Sequence, residues 1–269
     1  MRPHLLIPTD FSMPAKKMVK NLDDFHFAGA ERITLLHVRE VGYPVQTAPE
    51  HDNYYDELLD ETATDLRTRG WQVDVRHEQG RPGSQIVAVS QEVDADMIVL
   101  ANHGYGAITE VVLGSVANDV LERSKKPVFL FCSEAVEEPL WDRIVHPTDF
   151  SKVAKKARDW ALEIAVAEGH PMVLLHAVDE RFWSERSAQK RREELEEVRQ
   201  YCLDEGVDSV EVQVVQGPPK KVVVEAGDHY PGALFVMGTR GRGWFGDLML
   251  GGTARAMARR GSHHLLFIP

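Results

Sequence analysis

Cysteine is scarce in this chain, with two in 269 residues, Cys132 and Cys202. They stand far apart and in no metal-ligand spacing, which excludes a disulfide framework and a zinc site and matches a reducing compartment. Long uncharged apolar runs are missing too: none reaches the ~18 residues that a membrane helix needs. The apolar core of Met1-Arg2-Pro3-His4-Leu5-Leu6-Ile7-Pro8 is too short for a secretory signal. These absences predict a cytoplasmic protein with no membrane span. Positive charge is in deficit, 31 Lys+Arg against 42 Asp+Glu for a net charge of −11. A general nucleic-acid or anionic-membrane binder needs the opposite balance to displace counterions. Finally, no Ser-His-Asp order, Cys-His pair or carboxylate pair stands at a spacing that marks catalysis.

What is present is a soluble globular composition, 43% hydrophobic and 27% charged, on a chain long enough for about two domains. The chain repeats itself. Pro8-Thr9-Asp10-Phe11-Ser12 recurs as Pro147-Thr148-Asp149-Phe150-Ser151, and Leu35-Leu36-His37 as Leu174-Leu175-His176, both at an offset of 139. Gln79-Gly80 recurs as Gln216-Gly217, Gly104 as Gly241 and Gly114 as Gly251, all at 137. Five identical residues in register mean a duplication with one small length difference. Glu134-Ala135-Val136-Glu137-Glu138-Pro139 is polar and ends in proline. We therefore place domain one at 1–134, a linker at 135–140 and domain two at 141–269.

Within each copy, short apolar runs alternate with longer amphipathic segments, the pattern of βαβ units and a parallel sheet. Strands are expected near 4–8, 33–38, 71–77, 96–101 and 127–132, then 143–147, 171–177, 209–215, 233–238 and 264–268. Helices are expected near 13–28, 53–69, 83–93 and 114–124, then 152–168, 183–205, 219–229 and 252–261. Right-handed crossovers put helices on both faces and ligands at the carboxyl ends of the strands, where strand order reverses.

Two constellations then converge if first and fourth strands are neighbours. Asp10 and Asp149 end first strands: each either caps the following turn or accepts a hydrogen bond from a ligand or helps hold a metal. The glycine loops after the fourth strands, Gly104 to Ser115 and Gly241 to Thr253, are either ordinary turns or phosphate cradles made from helix N-terminal N–H groups. His103 in copy one and Arg240 with Arg242 in copy two, at the start of these loops, are either solvated or phosphate contacts. Ser12 and Ser151 suit helix N-caps, and Gly70 and Gly206 suit left-handed helix ends. His37 and His176 read as buried, hydrogen-bonded histidines, and His263-His264 lacks a third metal ligand. Tyr43, Tyr54 and Tyr55 fall in or near a loop-like segment. The charge-balanced run Lys190 to Glu197 is a solvated helix face with Leu195, Val198 and Cys202 inward.

A first strand ending in Pro-Thr-Asp-Phe-Ser, a second ending in Leu-Leu-His and a fourth followed by Gly-x2-Gly-x9-Gly-(Ser/Thr) resembles the universal stress protein family, and two such copies resemble its tandem members. The resemblance implies two Rossmann-like α/β domains (adenine nucleotide alpha hydrolase-like), each a five-stranded parallel sheet of order 3-2-1-4-5. It implies binding of ATP, with or without Mg²⁺, in a stress-response or regulatory role, with at most slow hydrolysis. In copy one the adenine and ribose side would be Pro8, Thr9, Asp10, Val38 and Leu100, and the phosphate side His103, Gly104, Gly114, Ser115, Val116 and Ala117. In copy two these become Pro147, Thr148, Asp149, Ala177 and Met237, then Gly238, Arg240, Gly241, Gly251, Gly252, Thr253 and Ala254.

Each copy departs from the motif. Ala101 replaces its first glycine in copy one, adding a Cβ where backbone could pass close to a ligand, and Gly252 stands at the Ser/Thr position in copy two. The resemblance further implies pairing of the last strands, Val128 to Phe131 with Leu265 to Ile268, as an internal pseudo-dimer, with a homodimer as an extension. The competing readings are a member that has lost nucleotide binding and acts on proteins, lipids or other small molecules, and an enzyme on the same fold. An ATP pyrophosphatase would need a Ser-Gly-Gly-x-Asp-Ser loop after the first strand, which is absent.

Overall fold

The computed structural model describes residues 3–24, 29–40, 49–102, 113–135, 139–241 and 250–269. The first half runs β1 (His4–Pro8), α1 (Met13–Lys20), β2 (Arg32–Arg39), α2 (Pro49–Thr68), β3 (Gln72–Gln79), α3 (Pro82–Glu92), β4 (Met97–Ala101), α4 (Ser115–Arg123) and β5 (Val128–Phe131). The second runs β6 (Arg143–Pro147), α5 (Lys152–Glu168), β7 (Met172–Val178), α6 (Glu185–Asp204), β8 (Val210–Gln216), α7 (Pro219–His229), β9 (Ala233–Gly238), α8 (Gly252–Arg260) and β10 (His264–Ile268).

All ten strands form one sheet, β3-β2-β1-β4-β5-β10-β9-β6-β7-β8, so each half runs 3-2-1-4-5 outward from nothing but its own strands. Within a half every pairing is parallel; where the halves meet, β5 and β10 pair antiparallel, Phe129 opposite Leu266. Side-chain alternation sends one set of apolar residues to each face. On one face, Leu5, Ile33, Phe129, Leu174, Leu234 and Leu266 pack under α1, α2, α5 and α6 through Met18, Leu59, Ala161 and Leu195. On the other, Leu6, Ile98, Leu130, Leu175, Phe235 and Phe267 pack under α3, α4, α7 and α8 through Ile86, Val120, Val223 and Met257. Each such fully buried side chain is worth ~1.5–3 kcal/mol, and both cores run without interruption across the seam.

The seam is tied by His264. Its ring lies between Phe129, Phe131 and Trp141, with centroids 5.0–5.9 Å away. Its Nδ1 accepts the Cys132 N–H (3.2 Å) and its Nε2–H donates to the Ala135 carbonyl (3.1 Å), which fixes the neutral tautomer. Burial pushes its pKa down to about 4. Leu140, within the expected linker, is packed into the core, and Trp141 donates to Glu168 Oε2 at 2.5 Å; residues 136–138 lie outside the described residues.

Two local expectations change. The first helix stops at Lys20, because Asn21 turns its amide back onto the Lys17 carbonyl (2.7 Å) and a single 3-10 turn, Leu22–Asp24, follows. Tyr54 and Tyr55 belong to α2, with Tyr55 stacked on His37 and Phe11, while Tyr43 lies outside the described residues. Ser12 and Ser151 cap α1 and α5, and Gly70 and Gly206 take φ of +98° and +106°. Among the described residues no helix is long and apolar enough to cross a membrane, and no three His, Cys, Asp or Glu gather around a common point.

A second buried histidine, His146 on β6, donates Nδ1–H to the Val236 carbonyl (2.9 Å), and burial lowers its pKa to about 4. The unfolded chain's histidines titrate near ~6.5, so between that pH and about 4 the unfolded state binds more protons. The stability owed to neutral His146 and His264 is complete above pH ~6.5 and drains away as pH falls to about 4. The first half carries Ile7 at the position of His146. His146→Ile is therefore expected to flatten the acid limb of a melting-temperature-versus-pH curve between pH 6.5 and 4; an unchanged slope would refute the assignment.

Candidate functional site

The crevice in the second half opens because two ladders run further than the one between them. β6 and β9 pair only as far as Val145 opposite Phe235, whereas β6–β7 pairing continues to Pro147 and β9–β10 pairing to Gly238. Beyond Val145 the first and fourth strands part, and the loops that follow them become opposite walls.

The first wall is a turn built by its own side chains. Thr148 N–H donates to the Leu175 carbonyl (2.9 Å), Thr148 Oγ1 accepts the Phe150 N–H (3.1 Å), Asp149 Oδ1 accepts the Ser151 N–H (3.0 Å), and Ser151 Oγ accepts the Ala154 N–H (3.1 Å). These bonds hold Phe150 at φ +60°, a left-handed conformation that costs a bulky residue about 1–3 kcal/mol. The first half repeats the turn, with Phe11 at φ +57° and bonds from Phe11 N–H to Thr9 Oγ1 and from Ser12 N–H to Asp10 Oδ1. Asp10 and Asp149 thus do cap the turn through one oxygen. The other oxygen of Asp149 looks across the crevice: a Cβ on Gly241 would stand 2.6 Å from Oδ2.

The second wall is the glycine loop. Its base is pinched by Thr239, whose N–H donates to the Ile268 carbonyl (2.8 Å) and whose carbonyl accepts the Gly251 N–H (2.8 Å). Gly251 is the N-cap of α8 and offers no side chain to the first turn, so the leading N–H groups of the helix face the crevice unpaired by the helix itself. Gly251 lies so close to the loop base that a Cβ would meet the Thr239 carbonyl at 3.0 Å, while a Cβ on Gly252 would enter open space.

Between the walls lies a cavity of about 430 Å³, a usual size for a small-molecule site. All twelve positions anticipated in the second half border it: Pro147, Thr148, Asp149, Ala177, Met237, Gly238, Arg240, Gly241, Gly251, Gly252, Thr253 and Ala254. Ala154 of α5, Leu175, His176, Thr239, and Pro219 and Val223 of α7 border it as well and were not foreseen as ligand contacts. The signal for α7 was available, since Gly217 (φ +146°) ends β8 beside the crevice and Pro218-Pro219 starts the next helix there. Strand alternation puts Leu175 and Ala177 toward the α7 side and turns His176 to the other face, where it packs on Phe150 (4.8 Å) and donates Nδ1–H to the Thr148 carbonyl (2.7 Å). Burial lowers the pKa of His176, and of His37, which bonds the Thr9 carbonyl in the same way.

In the first half, Pro8, Thr9, Asp10, Val38, Leu100, Gly114, Ser115 and Val116 hold equivalent positions, and Gly114 N–H reaches the Asn102 carbonyl (3.2 Å) as Gly251 does Thr239. His103 and Gly104 lie outside the described residues. The first glycine of the second half's loop, which borders the cavity, is also packed on its other neighbours: a Cβ on Gly238 would meet Val153 Cγ1 of α5 at 2.8 Å and the Arg240 carbonyl at 3.1 Å. In the first half the corresponding positions are Ala101 and Pro14.

A sequence model of the universal stress protein family matches residues 1–131 and again 141–269. The chain belongs to the universal stress protein family. It is a tandem member, with two copies of the family's domain. A universal stress protein of Methanocaldococcus jannaschii is 30% identical over 149 residues, 47% of this chain and 92% of that protein. One of Mycobacterium tuberculosis is 27% identical over 192 residues, 65% of this chain and 62% of that protein. A crystal structure of a family member from Archaeoglobus fulgidus superposes with a TM-score of 0.82 at 26% identity, covering 98% of this chain and 97% of that one.

The Val153 contact yields a test of this packing. Gly238→Ala should lower the melting temperature, and Val153→Ala in the same chain should recover part of the loss; if the second change brings no recovery, the glycine answers to something other than α5.

Proposed function

We propose that the second half's crevice binds an adenine nucleotide, ATP foremost, and that the protein works as a nucleotide-responsive regulatory module of the stress response. The observation that carries this reading is the opposition of Asp149 and the Gly241–Gly251 loop across one cavity. A carboxylate oxygen is suited to accept ribose hydroxyls, and the start of α8 offers N–H donors and a partial positive charge to phosphates. Arg240, in the loop, adds a guanidinium whose planar fork suits phosphate oxygens. Leu175, Ala177, Met237 and Val223 give an apolar wall for a purine ring. Asp149 is the one carboxylate among the described lining residues, so a Mg²⁺ ion would come held by the phosphates, with Asp149 as its protein partner.

Binding, with hydrolysis slow at most, fits the side chains better than turnover does. The lining imidazole, His176, spends its Nδ1 on a backbone carbonyl, and burial lowers its pKa. The alternative, a member that takes another small molecule, is favoured by Gly252, which keeps an N–H at the cradle but lacks the motif's hydroxyl. Mass spectrometry of ligand released from purified protein separates the two.

Calorimetric titration with ATP is expected to give saturable heat that Asp149→Ala abolishes or weakens strongly. Because a Cβ at position 252 enters open space, Gly252→Ser should be tolerated and should tighten ATP about two- to tenfold, the worth of one ordinary hydrogen bond. Absence of heat at millimolar ATP would overturn the nucleotide reading.

A further inference from the structure

The helix that cradles the second crevice is held at its far end by the first half. α8 ends at Gly261 (φ +61°), and the carbonyl of Gly261 accepts two bonds from across the seam: Cys132 Sγ–H at 2.8 Å and Asn102 Nδ2–H at 3.4 Å. Asn102 also donates to Glu134 (3.3 Å), and its backbone carbonyl receives the Gly114 N–H at the start of α4. One buried residue therefore touches both the base of the first half's glycine loop and the end of the second half's cradle helix. Nearer the crevice, Arg255 of α8 pairs with Glu122 of α4 at 2.9 Å, both half-buried.

The hold runs one way among the described residues. The position of Gly261 corresponds in the first half to Ser124, whose hydroxyl donates to the nearby Lys126 carbonyl. The position of Asn102 corresponds to Thr239, whose buried hydroxyl has no partner, and that of Cys132 to Pro269, which carries no donor. Among the described residues Asn102 Oδ1 is buried without a partner, so the bonds that hold this side chain are those its Nδ2 makes to Gly261 and Glu134.

We propose that Asn102 and Cys132 are positioning residues for the second half's cradle: by holding Gly261 at the end of α8 from across the seam, they set nucleotide affinity in the second half. The inference rests on the nucleotide reading of that crevice. α8 spans nine residues, about 13.5 Å at 1.5 Å per residue, with no glycine or proline between Thr253 and Arg260 to absorb a shift. A displacement at Gly261 consequently reaches the N–H groups at Gly252 and Thr253.

The test starts from Ser115→Asp, which places a carboxylate at the first turn of α4, favourable to the helix but repulsive to phosphate in the first crevice, so that ATP titration reads the second crevice alone. On that background Asn102→Ala and Cys132→Ala are expected to weaken ATP about fivefold. Cys132→Ser keeps a donor for Gly261 and should retain the parent's affinity. Amide exchange from Arg255, whose N–H bonds the Gly251 carbonyl, to Ala258, measured without ligand, should speed up in the two alanine variants and not in the serine variant. Parent-like affinity and exchange in both alanine variants, or equal losses in Cys132→Ser and Cys132→Ala, would overturn the proposal. If the Ser115→Asp parent itself takes no ATP, the nucleotide reading fails, and the exchange rates still decide whether the anchor positions the helix.

Discussion

Everything functional in this molecule depends on one mismatch of ladder lengths. β6 and β9 stop pairing at Val145 and Phe235 while their outer neighbours stay paired for two to three residues more. A backbone cannot leave a ladder inside a protein without other partners for its N–H and C=O groups, and the parted strands find them locally. On one side Thr148, Asp149 and Ser151 spend side-chain oxygens on the turn; on the other Thr239 bonds Ile268 and Gly251. His146 closes the floor by taking the Val236 carbonyl that β6 no longer reaches. The crevice is what remains when these substitutions are complete. The wall that bears Asp149 is satisfied by its own side chains, and a ligand need not order that turn on arrival.

Much of this was legible in the residues. The repeat fixed the number of halves, and alternating apolar runs fixed element order, because parallel strands buried on both faces read as unbroken hydrophobic segments. The second half's candidate positions could be picked out because a strand-ending aspartate and a glycine loop are local features, and the fold then needs only to bring two loops together. What stayed hidden depends on distance or on a single competing bond. Nothing in the sequence near Asn21 says that its amide will end α1 at Lys20. The approach of Asn102 to Gly261, 159 residues away, follows from the antiparallel meeting of β5 and β10, which no local pattern encodes. The packing of Gly238 against α5 was hidden for the same reason, since Val153 is its neighbour in space alone.

The two halves share their scaffold but not their side chains at the crevice. Tyr55 stacks on Phe11 and His37 in the first half, whereas in the second the guanidinium of Arg191 lies 5.6 Å over Phe150. The turn that bears the aspartate is the same in both, down to the left-handed phenylalanine, so the divergence lies around a preserved framework.

The antiparallel seam between β5 and β10 has a further consequence. If two separate, identical chains met along this line, every substitution at the junction would be made twice, and a bulky or polar side chain would have to suit both copies of its surroundings at once. Joining the halves in one polypeptide removes that obligation. His264 can lie among Phe129, Phe131 and Trp141 while the matching position opposite is Pro127, and Cys132 can face Gly261 without a twin. Covalent fusion thus turns a mirror-like junction into a directional one, on which each side is free to specialise.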